Sequence, residues 1–267
     1  MPHSSAPDPD PAPGLVTIGR AAKKATLGGR TQVIVPVSGD AAALSGQVEA
    51  MASCRADIVE WRADTFLSSL VGSHFVAASD VEEDLVRMAR YVADSSPLPV
   101  LATIRTSVEG GEAYLDDDEY CALVRRLASF AGGVDVEISC DGSSALIDEV
   151  HEAGAIVVAS FHDFEGTPGD EQLAEVLAAM NYAGADVLKF ACMANSATDA
   201  ARVLAAQAWA REAYDRPVIG ISMGEHGAPT RLVGSALGSA ATFATLPGWE
   251  GSAPEQFTVE QVRTVLD

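Results

Sequence analysis

The sequence predicts an α/β protein, a (β/α)8 TIM barrel preceded by a short β-hairpin. Three observations carry that expectation. Eight short β-branched runs recur along the 267-residue chain. Ala/Leu/Glu/Arg-rich stretches with 3.6-residue spacing separate nearly all of them, the mark of parallel βαβ units. Eight such units in about 235 residues is the span of a closed barrel. The competing arrangement, an open doubly wound sheet, usually carries a glycine fingerprint after its first strand. Here that position reads Ser38-Gly39-Asp40-Ala41.

The elements follow in order. Residues 1–13 are Pro-rich, with neither a basic start nor an apolar core, and read as a disordered tail rather than a secretory signal. Residues 14–267 form one barrel domain, whose stretch 14–30, ending near Gly28-Gly29, is the hairpin. Strands are expected at 31–37, 56–64, 99–105, 133–138, 154–161, 185–191, 217–222 and 239–245. Helical runs include 81–93, 117–131, 171–183, 198–213 and 230–239. Ser79-Asp80 and Thr198-Asp199 are start signals, and Gly154 and Gly184 are stop signals.

Composition excludes several functions. Seventeen Lys+Arg against 38 Asp+Glu give a net charge of −21. Sequence-independent binding to nucleic acid needs cations to displace phosphate counterions, and anionic membranes repel such a chain. No apolar stretch approaches the ~20 residues of a membrane span. Cys54, Cys121, Cys140 and Cys192 show no C-x-x-C or zinc spacing, which points to reduced thiols in a cytoplasmic protein. No metal-ligand pattern, P-loop or nucleophile elbow is present.

Polar residues stand where barrel strands should be apolar. Glu60, Arg62 and Asp64 alternate on the second strand, with Glu60 and Arg62 at its C-terminal end, where barrel active sites are built. An ion pair closing the mouth is the structural alternative. Arg105 ends the third strand, and Glu109 follows beside Gly110-Gly111, implying mobility or close approach of the backbone. His162 follows an apolar fifth strand and is a natural proton shuttle, though a histidine there is often structural. The roles of Glu137 and His226, both at strand ends, stay open. Lys189 sits within Val-Leu-Lys-Phe-Ala on the sixth strand and is the only Lys after residue 24. Burial disfavours an ammonium and prepares an amine that forms an imine with a carbonyl, a role arginine cannot take. Arg231, near the start of the helix after the seventh strand, offers a planar fork for a carboxylate, and Ser252 and Gln256 add uncharged donors.

Together E-W-R-x-D (60–64), T-I-R-T-x-x-E-G-G (103–111), S-x-H-D-F-x-x-T-P (160–168), the Lys189 strand with Met193, and S-A-P-E-Q (252–256) resemble the type I 3-dehydroquinate dehydratases. The resemblance runs from about residue 14 to 267. It implies a cofactor-free, metal-free barrel, often a homodimer, that converts 3-dehydroquinate to 3-dehydroshikimate and water. It implies that Lys189 forms the Schiff base, that His162 moves the protons and that Glu109 positions His162. Glu60, Arg62 and Arg105 would contact the substrate hydroxyls, and Arg231, Ser252 and Gln256 the carboxylate and lid. Two departures stand out: Pro36 occupies a place where some members carry a hydroxyl, and 247–251 is longer than expected. The alternatives are a class I aldolase-type barrel, which would favour a phosphate pocket, and a non-catalytic carboxylate-binding barrel.

Overall fold

The computed structural model describes residues 14–71, 78–249, 251 and 256–267; the expected tail at 1–13 lies outside them. Strands β1 (Val16–Arg20) and β2 (Lys23–Leu27) pair antiparallel as the hairpin. Eight parallel strands follow: β3 (Gln32–Val37), β4 (Ile58–Arg62), β5 (Val100–Thr103), β6 (Gly133–Glu137), β7 (Ile156–Asp163), β8 (Val187–Met193), β9 (Val218–Met223) and β10 (Ala241–Phe243). Their order, β10-β3-β4-β5-β6-β7-β8-β9, closes where Val218 bridges Ser239 and the Ala240 N–H donates to the Val218 carbonyl at 2.8 Å.

The outer ring comprises α1 (Ala41–Ala50), α2 (Ala63–Val71), α3 (Ala78–Ser95), α4 (Asp117–Ala128), α5 (Ser143–Glu152), α6 (Asp170–Tyr182), α7 (Ala197–Ala213), the short α8 (Gly224–Gly227) and α9 (Thr230–Val233), and α10 (Val259–Leu266). Reciprocal capping boxes start two of them, Asp116 with Glu119 at α4 and Thr258 with Gln261 at α10.

Strand alternation sorts the core into two parts. Outward residues such as Val35, Val59, Trp61, Val134, Leu188 and Phe190 meet the helices. Inward residues near the N-terminal ends, including Ile34, Ile58, Leu101, Val158, Val187 and Ile219, fill the barrel floor, which Ile18 and Leu27 of the hairpin plug from below. Arg20 fixes that plug by donating to the Ala128 and Ala131 carbonyls at 2.6 and 2.7 Å, and Lys23 donates to the Ala93 and Asp94 carbonyls at 2.9 Å. Both satisfy carbonyls at helix C-termini that would otherwise lack partners.

Several boundaries differ from the sequence expectation. The chain turns into α2 directly after Arg62, so Asp64 lies in a first helical turn rather than on a strand face. Strand β7 extends through Asp163 and carries His162 within it. Ser196, not Thr198-Asp199, caps α7 and accepts from the Asp199 N–H. The expected helix 230–239 is α9 followed by a 3-10 turn at Gly234–Leu237. Among the described residues no helix is long and apolar enough to cross a membrane.

Candidate active site

A cavity of about 300 Å³ opens among the C-terminal strand ends, at the lower end of the range for small-molecule sites. It is lined by Glu60 and Arg62 from β4, Thr103 at the end of β5 and Arg105 just after it, Glu109, His162, Lys189, Arg231, Phe243 and Gln256. Eight of the nine expected site residues therefore converge on one space. The ninth, Ser252, lies outside the described residues. Pro36 also lines the cavity, so that position offers no hydroxyl.

Lys189 is 3% exposed. Its neighbourhood differs from the apolar one its strand suggested. Nζ donates to Asp135 Oδ2 at 3.1 Å, stands 3.7 Å from Glu60 Oε1, and lies 4.9 Å from the centre of the Phe243 ring. Asp135 is wholly buried on β6; Oδ1 accepts from Arg105 at 2.7 Å and from Ser160 Oγ at 2.6 Å. Burial alone would raise the Asp135 pKa, but the charges of Arg105 and Lys189 outweigh it and hold it at about 2.

Arg105 is the hub of the polar interior. Nη1 donates to Glu109 at 3.1 Å, Glu137 at 2.8 Å and Ser160 at 3.1 Å, while Nη2 takes Asp135. Against its burial, the surrounding carboxylates push its pKa up. Its charge is therefore largely committed to protein partners. Glu137 also accepts from the Thr106 N–H and hydroxyl at 2.8 and 2.6 Å, which answers the question left open for it: it ties the β5 end to β6.

His162 Nδ1 is 2.9 Å from Glu109 Oε2, and Ser139 Oγ donates to Glu109 Oε1 at 2.8 Å. Burial and then the charges of Arg105, Lys189 and Arg62 lower the His162 pKa well below its ordinary value. The ring is neutral near pH 7, and Nε2 is the nitrogen left for a bound molecule. Burial raises Glu109 to about 7 despite Arg105. The glycines beside Glu109 serve close approach rather than mobility. A Cβ at Gly110, whose φ is +79°, would lie 2.4 Å from the Phe164 ring, and one at Gly111 would lie 2.1 Å from the Arg105 carbonyl.

Arg62 is held by a two-pronged contact to Asp64 at 2.9 and 2.7 Å. Arg231, on α9, is 5% exposed, and burial lowers its pKa to about 10. It remains a cation at neutrality, placed where an incoming anion would offset its desolvation. Sequence reasoning missed Asp135, Ser160 and Phe243. The period-two pattern Gly-Val-Asp-Val-Glu at 133–137 held the signal for Asp135, since it places Asp135 and Glu137 on the inward face together.

A barrel that joins a buried amine and a carboxylate-supported neutral histidine in one small cavity is equipped as a carbonyl-processing lyase of the Schiff-base type. The family model for Type I 3-dehydroquinase matches residues 33–267. The 3-dehydroquinate dehydratase of Klebsiella pneumoniae strain 342 is 35% identical over 245 residues, covering 90% of this chain and 93% of that protein. The Aromatoleum aromaticum enzyme of the same name is 36% identical, covering 90% and 91%. A crystal structure of the Geobacillus kaustophilus enzyme superposes with a TM-score of 0.84 at 31% identity and covers 95% of each chain. The type I enzyme from Clostridium difficile, solved with covalently modified comenic acid, gives 0.78 at 29% identity, covering 94% and 96%. The chain belongs to the type I 3-dehydroquinase family.

Proposed function

We propose that this chain is a 3-dehydroquinate dehydratase, a hydro-lyase that converts 3-dehydroquinate to 3-dehydroshikimate and water through a Schiff base. The observation that carries the reading is the buried Lys189 amine sharing one cavity with the His162–Glu109 pair. The C. difficile relative solved with covalently modified comenic acid supports a reading that includes covalent chemistry.

Lys189 Nζ attacks the C3 ketone, whose oxygen leaves as water. Written from the ammonium, the exchange gives a protonated imine and conserves charge. The iminium draws electrons from the adjacent C2–H bond, and His162 Nε2 takes that proton. Glu109 holds the imidazole through Nδ1. The resulting enamine expels the C1 hydroxyl, to which the His162 proton returns, so one residue serves both transfers on one face. Water then hydrolyses the product iminium and frees Lys189. Arg231, with Gln256 and Ser252, takes the carboxylate; Arg62 and Glu60 take hydroxyls. In a chain of charge −21 these local cations are what admits an anionic substrate. We extend the reading to a cytoplasmic homodimer, the assembly implied by the family resemblance, which sedimentation velocity tests directly.

Borohydride reduction during turnover, followed by intact-mass analysis, tests the mechanism. One covalent adduct is expected on Lys189, absent in Lys189→Met. Turnover without any trapped adduct would refute the Schiff base.

A further inference from the structure

Asp135 has no part in the proton transfers above, yet it makes the shortest polar contact of Lys189 Nζ, at 3.1 Å. Its two oxygens are divided. Oδ1 is taken by Arg105 and Ser160, which leaves Oδ2 aimed at the amine. Glu60, the other carboxylate near Nζ, stands farther off at 3.7 Å and accepts from Thr103 Oγ1 at 3.1 Å. We infer that Asp135 is the fixed counter-ion of the Lys189 nitrogen, accepting its hydrogen bond first as ammonium and again as iminium. The inference rests on the Schiff-base reading.

Charge conservation is the reason. An ammonium and a ketone become an iminium and water, three hydrogens on nitrogen becoming one on nitrogen and two on the departing oxygen. The nitrogen carries a unit charge before and after, but the ammonium has three hydrogens and can also turn to Glu60, whereas the iminium has one and needs a carboxylate that never titrates beside it. Asp135 meets that need, because its pKa near 2 keeps it ionised and unfit as a base. The single hydrogen the iminium keeps is the one facing Oδ2. The substrate carbon is thereby directed away from β6 and toward the open cavity that His162 and Arg231 line. The enamine nitrogen is neutral, so the same carboxylate opposes C2 deprotonation. Its benefit falls on making and holding the adduct, not on the elimination.

The test is the fraction of folded enzyme trapped by borohydride at saturating 3-dehydroquinate, with folded protein counted by thermal melting. Asp135→Asn is expected to lower that fraction about ten- to a hundred-fold, the scale of losing a charge-assisted hydrogen bond. Exchange of the C2 hydrogen with solvent, per trapped adduct, should not fall. Wild-type trapping with an unchanged fraction in Asp135→Asn overturns this inference alone. A fall in C2 exchange per adduct puts Asp135 in the proton transfer and also overturns it. Absence of trapping in the wild type overturns the Schiff-base reading first. If Asp135→Asn does not fold, Ser160→Ala decides: it removes the 2.6 Å bond that aims Asp135 while keeping every charge. A trapped fraction about three-fold lower supports the assignment, on the scale of one neutral hydrogen bond, and a wild-type fraction overturns it.

Discussion

From β4 round to β8 the inward face of the barrel is polar, carrying Glu60, Thr103, Asp135, Glu137, Ser160, His162 and Lys189. From β9 through β10 to β3 it is apolar: Ile219, Ile221 and Met223, then Ala241 and Phe243, then Ile34 and Pro36. The polar wall is cross-linked. Arg105 joins the end of β5 to β6, β7 and the Glu109 turn. The apolar wall contains the seam, where one bridge at Val218 joins β9 to β10. Beyond it the buried Gln207 of α7 does the work of a strand. Its Oε1 accepts from the Gly220 N–H at 2.9 Å, and its Nε2 reaches the Gly234 and Leu237 carbonyls at 3.1 and 3.3 Å. The difference teaches a division of labour. Bonds are made and broken against a wall fixed by charge, while the opposite wall excludes water and carries the arm that holds Arg231.

The largest test of that division lies on the polar wall. Lys189→Ala should lower kcat by on the order of 10⁶-fold, the scale of deleting a covalent nucleophile. His162→Ala should lower it ~10²–10⁴-fold while the borohydride adduct still forms. An adduct-free His162 variant would mean that the histidine builds the site rather than moves protons. Arg231→Ala, on the opposite side, should act on KM. Losing a buried partner for the substrate carboxylate costs about 10²-fold in kcat/KM, with kcat changed far less. Equal loss in kcat would erase the distinction between the walls.

Glu109 gives a test in pH. Its pKa is raised to about 7, so as pH falls through that value the carboxylate gains a proton and becomes a donor toward His162 Nδ1. The imidazole then carries its hydrogen on Nε2 and cannot accept from C2. The kcat profile should therefore rise with pH through an apparent midpoint near 7, belonging to the Glu109–His162 pair as a unit. Glu109→Gln should remove that limb and lower the plateau about ten-fold, less than deleting the base itself. An unaltered acid limb in that variant would assign it to another group.

The barrel and the convergence of most of the candidate site residues on one cavity were legible in the sequence because both obey short-range rules. Alternating strand runs and helical spacing report the fold, and charged residues at strand C-termini report the mouth. Lys189 was conspicuous against a chain that otherwise avoids Lys. What stayed hidden depends on neighbours across the barrel. Alternation at 133–137 shows that Asp135 faces inward, but not that β8 brings an amine to it. Arg105 ends a strand as a substrate contact would, yet its four protein partners come from β6, β7 and the Glu109 turn. Asp64 follows the strand alternation on paper, but the chain has become helical there.

Gln207 was the least legible residue of all, and it supplies the smallest effect. In Ala-Ala-Gln-Ala-Trp it reads as a polar residue on a helix, but it is fully buried. Gly220 must be glycine beside it, since a Cβ there would sit 2.9 Å from Gln207 Oε1 and from Phe190 Cζ. Gln207→Leu leaves the Gly220 N–H buried without its partner and removes the Gln207 bonds to the Gly234 and Leu237 carbonyls. The expected cost is about 1–3 kcal/mol, a fall in melting temperature of roughly 2–4 °C for each kcal/mol in a chain of this size. Because Gly234 and Leu237 follow α9 directly, the loss should loosen Arg231 and raise KM a few-fold. The polar wall has its own cross-links, so kcat should stay close to wild type. A Gln207→Leu enzyme with a normal melting temperature and a much lower kcat would show that the seam and the catalytic wall are one unit. The division between the two walls would then fail.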